Sequence, residues 1–201
     1  LMSRTLLAPV LAVALLLTLS AAAQDQDKDT WQLDPPHSSA QFSVRHLGVS
    51  TVRGAFTKVS GTVHYDAANP GKASLQATIE SASVDTRVEM RDNDLRSPRF
   101  LDAQKYPTIT FQSKKVEAAG DGKLKVTGDL TIHGVTKEVV LDVDGPTPAI
   151  KDPMGKDRLR AGASATTKIN RNDFGITSLP GAIGDDITIT LDIEMIKPAT
   201  N

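Results

Sequence analysis

The chain has 201 residues, with 23 Lys plus Arg against 24 Asp plus Glu, a formal net charge of −1 and no cysteine. Without cysteine there is no disulfide framework and no thiol for lipid attachment. Both signs of charge are interspersed with no basic stripe, which argues against nucleic acid as a partner.

In chain order, Arg4 precedes an apolar run from Leu6 to Leu19 that is broken only by Pro9 and Thr18. The small residues Ser20-Ala21-Ala22-Ala23 follow. This is the three-part pattern of a secretory signal peptide. The run is too short for the roughly 20 residues that cross a bilayer as a helix. Cleavage is expected before Gln24, which gives a signal peptide over 1–23, a polar linker over 24–30 and one folded domain over 31–198. An uncleaved N-terminal anchor is the other reading, and the polar stretch from Gln24 to Thr30 disfavours it. No later segment reads as a membrane span, so no stable membrane insertion is expected after cleavage.

Beyond the linker the dominant signal is alternation of apolar and polar residues, the period of a strand with one dry and one wet face. It is clearest in Ile187-Thr188-Ile189-Thr190-Leu191-Asp192-Ile193-Glu194-Met195, and recurs from Ala40 to Arg45, Leu75 to Glu80, Ile109 to Gln112, Leu124 to Thr127 with Leu130 to Ile132 beyond, and Val139 to Val143. Turn signals at His46-Leu47-Gly48, Ala68-Asn69-Pro70-Gly71, Gly120-Asp121-Gly122 and His133-Gly134 separate the runs. The expected strands are 38–47, 51–66, 72–84, 108–118, 122–132, 135–145, 158–170 and 186–197. Eight antiparallel strands can close into a barrel, with a sandwich as the alternative. Such a barrel either fills with side chains or holds one small ligand. Aromatic residues make up only 4 % of the chain, and Ala40, Ala77, Ala161, Ala163 and Ala165 fall at inward positions. A hydrophobic chain would suit the space these leave, unless larger neighbours fill it.

The stretch from Asp85 to Asp102 interrupts the β pattern with helix signals. Thr86 with Glu89 fits a capping box, and Ser97-Pro98 fits an N-cap followed by proline. Two helical turns are expected over 87–95 and 98–104, between the third and fourth strands. Met90, Leu95, Phe100 and Leu101 are too apolar to face water together, so the insert should be a plug sealing the core or a lid over a cavity.

The four histidines, His37, His46, His64 and His133, have no metal-ligand spacing. No nucleophile elbow, phosphate loop or dinucleotide fingerprint occurs. Carboxylate pairs such as Asp92 with Asp94 fall in loops or caps. The pattern points to binding, with no catalytic residue, cofactor or metal expected.

Six blocks in order carry a resemblance. They are Asp34-Pro35-Pro36-His37-Ser38; Phe42 to His46 with Val52 to Phe56; Arg91-Asp92 with Leu95-Arg96-Ser97 and Phe100-Leu101-Asp102; Tyr106 to Phe111; Gly128 to Thr136; and Asn170 to Ile176. Across Trp31 to Lys197 the chain resembles the YceI-like family of periplasmic polyisoprenoid-binding proteins. The resemblance implies an all-β, eight-stranded antiparallel lipocalin-like barrel in the periplasm. Its interior would take up an isoprenoid or fatty amphiphile, with no enzymatic activity. It also favours the lid or pocket wall over the plug. The chain departs from the family pattern at Asp94, where histidine is usual, and at Arg99, where an acid is usual. If these positions meet a headgroup, the change disfavours a diphosphate and favours a neutral or hydroxyl-bearing head.

Candidate tail contacts are Phe42, Val44, Met90, Leu95, Phe100, Phe111, Phe174, Ile189 and Leu191. Candidate head contacts are His46, Arg91, Asp94 and Arg171. Ordinary core packing is the other reading for Phe111 and Ile189, and a surface pair with Asp173 for Arg171. The competing functions are a periplasmic stress-related enzyme or metal-binding protein on the same barrel, and an interaction module. A homodimer is left open.

Overall fold

In the computed structural model, which describes residues 28–199, the alternating runs become strands in the expected order. The expected signal peptide and the linker up to residue 27 lie outside the described residues. The strands are β1 (Thr30–Leu33), β2 (Ser39–His46), β3 (Ser50–Phe56), β4 (Val59–His64), β5 (Ser74–Glu80) and β6 (Val84–Asp85). Helix α1 (Glu89–Arg96) follows, then β7 (Thr108–Ala118), β8 (Lys123–Ile132), β9 (Val135–Asp144), β10 (Ile150–Lys151), β11 (Arg158–Asn170) and β12 (Ile183–Pro198).

These strands form eight staves. β1 and β2 are one stave broken at the 3-10 turn Pro35–His37; β3 with β4 and β5 with β6 are likewise broken staves. Each stave pairs antiparallel with the next, and β12 closes the ring by pairing with β11 on one side and with β1 and β2 on the other. Closure removes the exposed edges of an open sheet. β10 is a short accessory pairing on the edge of β11.

The expected strand over 51–66 is two strands because Thr57 and Lys58 leave the ladder. The Thr57 N–H donates instead to the Ser83 carbonyl at 3.1 Å, and the Glu80 N–H to the Lys58 carbonyl at 3.1 Å. Residues 34–38, 57–58 and 81–83 are thus neighbouring kinks in three adjacent staves, the kind of corner by which a twisted sheet curls. β1 was not among the expected strands. Its four residues are too few for period two to stand out, yet Trp31 and Leu33 are buried.

The insert also differs from expectation. α1 begins at Glu89 with Val88 as an N-cap that makes no side-chain bond, so Thr86 and Glu89 do not form a capping box. Asp92 reaches back instead, and accepts from the Thr86 N–H at 2.8 Å and the Thr86 hydroxyl at 2.5 Å. Ser97 ends α1 rather than starting a second helix: its hydroxyl donates to the Asp94 carbonyl at 2.6 Å. Residues 98–104 are a chain of turns in which Phe100 is buried.

Strand glycines set the shape of the lumen. A Cβ on Gly54 would lie 2.5 Å from the Phe42 ring, and one on Gly128 2.5 Å from both the Phe111 ring and the Gln112 carbonyl. Both rings therefore lie flat against the wall in the space a side chain would have taken, as aromatic residues cover strand glycines. Gly128→Ala has no such room, because the nearest obstacle includes fixed backbone. It is expected to lose about 1–3 kcal/mol of stability, readable as a lower urea midpoint at unchanged slope.

Candidate functional site

The inward faces of the staves enclose a cavity of about 970 Å³, the upper end of the size range for small-molecule sites. Its wall is aliphatic and aromatic, including Val52, Val63, Ile79, Leu130 and Leu141. Thr167 is the polar interruption of the β11 row Ala163, Ala165 and Ile169. Ala40, Ala77, Ala163 and Ala165 do line the space, whereas Ala161 is buried against Trp31 and Met195. That Trp31 cluster packs the end of the barrel where the chain enters, with Lys197 Nζ 4.4 Å from the centre of the Trp31 ring.

The opposite end is built by the β2–β3 turn, the α1 segment and the loop between Phe174 and Ile183. α1 lies beside β6, where the third stave is only two residues wide. Phe100 is buried and Leu101 joins the core, so the segment is part of the wall. Met90, at the rim, stays 81 % exposed while also lining the cavity.

All of the candidate residues lie on this wall or its mouth: Phe42, Val44, Leu95, Phe100, Phe111, Phe174, Ile189 and Leu191 along the apolar surface, and Met90, His46, Arg91, Asp94 and Arg171 at the α1 end. Their polar groups are not equally available. Arg171 is 4 % exposed. Its Nε donates to the Gly184 carbonyl at 3.1 Å and one terminal nitrogen to the carbonyls of Ile176 and Ser178 at 2.8 Å each. The other donates to the Ile183 carbonyl at 3.2 Å and the Asp185 carboxylate at 3.1 Å. A guanidinium has five N–H donors, so Arg171 is fully engaged in pinning the mouth loop. Its acidic partner is Asp185, not Asp173. Arg91 is half committed, donating to the Thr86 hydroxyl at 2.8 Å and carbonyl at 3.0 Å. His46 is exposed, and its ring makes no hydrogen bond among the described residues.

Asp94 and Arg99, the two departures in the insert, meet each other at 3.0 Å. Missing from the sequence-derived set are Arg45, Leu179, Ile183 and the inward rows of β3 to β5, β8, β9 and β11. The rows follow from the same period two as β12. Leu179 lies in a loop, where no period exists to reveal it.

A second polar cluster sits outside the barrel, under the β9–β11 connection. One Arg160 terminal nitrogen donates to Asp34 at 2.9 Å and to Glu194, the other lies 3.0 Å from Asp152, and Arg158 also pairs with Asp152. Burial alone would raise the Asp34 carboxyl, but hydrogen bonds from His37 and Arg160 outweigh it and hold the group below its ordinary value. Hydrogen bonds from Arg158, then the Met154 N–H and Arg160, hold Asp152 well below the carboxylate range. Asp34, His37 and Glu194 offer ligand atoms within 4.8 Å of one another. The Arg160 guanidinium already supplies the positive charge between the two carboxylates.

Residues 31–195 match the YceI-like domain. The chain belongs to the YceI-like family. A UPF0312 protein of Vibrio cholerae is 40 % identical over 175 residues, covering 87 % of this chain and 89 % of that one. Among solved structures, the YceI protein of Campylobacter jejuni is 37 % identical with a TM-score of 0.65, over 76 % of this chain and 89 % of that one. A polyisoprenoid-binding domain from Saccharophagus degradans shares the fold at a TM-score of 0.62 and 17 % identity, over 84 % of this chain and 98 % of that one. The YceI-like barrel explains the six sequence blocks, since they fall on the kinked first two staves, the insert, the Tyr106 strand entry, the β8–β9 hairpin and the Arg171 turn.

Proposed function

We propose that this chain is a periplasmic carrier that sequesters an isoprenoid or other long-chain amphiphile in its barrel, and is not an enzyme. The observation that carries the reading is the apolar cavity of about 970 Å³ running behind an α1 rim. The polyisoprenoid-binding domain of the same fold agrees with it, and the signal-peptide pattern supports the compartment.

The energetics need no specific polar contact. Transfer of a methylene from water to an apolar site gains about 0.8 kcal/mol. A ten-carbon stretch thus contributes about 8 kcal/mol before ordering costs are subtracted. Selectivity comes from cavity length and from the few polar groups left with spare capacity at the mouth. His46 and the donors left on Arg45 and Arg91 are those groups, Arg45 giving one bond to the Thr51 hydroxyl and one to the Gly48 carbonyl. With Asp94 answered by Arg99, Arg171 engaged and Arg45 and Arg91 each partly committed, a doubly charged diphosphate would be only partly compensated, so a neutral or hydroxyl-bearing head suits this mouth best.

The test is mass spectrometry of an organic extract of the mature protein purified from its host's periplasm. One long-chain amphiphile at about one per chain is the expected result. An empty extract, together with failure to take up an offered isoprenoid alcohol, would overturn the reading.

A further inference from the structure

Large apolar side chains left exposed among the described residues gather at the cavity mouth. Leu47 is 58 % exposed and Val49 82 % on the β2–β3 turn, Val88 42 % and Met90 81 % at the start of α1, and Leu179 41 % on the Phe174–Ile183 loop. The remaining ones, Val140, Ile150 and Met154, stand on the barrel wall and the β9–β11 connection. Single exposed apolar residues need no explanation, but a ring of them around an opening does. Exposing them there brings no gain in folding stability.

We propose that this rim seats the barrel mouth on a lipid surface, so that a chain passes between membrane and cavity without crossing water. The proposal rests on the carrier reading and adds to it the source of the cargo. Two features select a lipid surface as the occupant. Met90 and Leu179 belong to both the rim and the cavity lining, so the apolar path is continuous from outside to inside. Arg45, Arg87 and Arg91 flank the rim side chains in sequence, and guanidinium groups beside apolar anchors sit well at headgroup level. Asp85 and Glu89 are acids in the same arc, while Asp94 is paired with Arg99 and Asp185 with Arg171. The formal net charge of −1 supplies no long-range attraction to anionic lipid, so docking is by apolar insertion and is insensitive to salt.

The experiment is cosedimentation of the mature protein with phosphatidylcholine vesicles at low and high salt. It compares wild type with the triple variant Leu47→Asn, Val49→Ser, Val88→Thr. Asn suits position 47, where φ is 52°. None of the three residues lines the cavity. Wild type is expected to pellet with the vesicles at both salt concentrations, and the variant to bind at least about tenfold more weakly, a loss of about 1.4 kcal/mol. Uptake of a water-soluble, short-chain fluorescent fatty acid, read in parallel, should be equal in the two proteins. Wild type that ignores vesicles, or a variant that pellets equally well, overturns the proposal while leaving the carrier reading to the uptake result. A vesicle-indifferent wild type whose self-association the variant abolishes assigns the rim to a second copy and overturns it too. Failure of uptake in both proteins counts against the cavity instead.

Discussion

Arg171→Met is expected to lower stability by about 3–5 kcal/mol, the cost of removing one partner from a buried charged network, measured by urea unfolding. The reason is geometric. Four carbonyls, those of Ile176, Ser178, Ile183 and Gly184, point at one guanidinium together with the Asp185 carboxylate. Methionine fills much of the volume but donates nothing, so each carbonyl must be left dry or must drag the loop out to water. A buried polar group without its partner costs about 1–3 kcal/mol. Opening the loop limits the total, and hydrogen exchange should show it as faster exchange over residues 175–184. Arg171→Lys should recover little, because an ammonium is a point donor that cannot reach five acceptors at once. A loss below about 1 kcal/mol would mean that water replaces the guanidinium without penalty and that the loop is not held by it.

The barrel was legible because period two survives in long strands. β12 alternates from Ile187 to Met195, and its inward row faces the β11 alanines in register, with Ala165 opposite Leu191 and Ala163 opposite Ile193. The broken staves were less legible. Kinks at 34–38, 57–58 and 81–83 are set by cross-strand hydrogen bonds between segments far apart in the chain, and local pattern holds no record of those. The capping box at Thr86 and Glu89 satisfied a sequence rule, yet Asp92 took the Thr86 donors because the segment must turn over the barrel edge before the helix starts. The polar candidates show the same division. Arg91, Asp94 and Arg171 were found by resemblance and do line the cavity. How much hydrogen-bonding capacity each retains depends on Thr86, Arg99 and the loop carbonyls, which only the folded chain brings together.

Filling the cavity from within should block uptake without unfolding the protein. Ala165 is 7 % exposed on the inner face of β11, between Val143 on β9 and Leu191 on β12. Ala165→Phe would send a ring with no polar atom into the lumen. In a filled core such an insertion costs about 1–3 kcal/mol through strain. With empty volume in front of it, the ring instead gains apolar contact, and stability is expected to hold within about 1 kcal/mol of wild type. Binding of a fluorescent long-chain fatty acid should fall by about tenfold or more, because a tail that must lie along the barrel loses its path. Thr166→Phe is the control: one residue on, the side chain points to solvent, and both stability and uptake should match wild type. An Ala165→Phe protein that melts early would show that the lumen is already filled. One that is stable and binds as well as wild type would place the ligand elsewhere, and the carrier reading would fall with it.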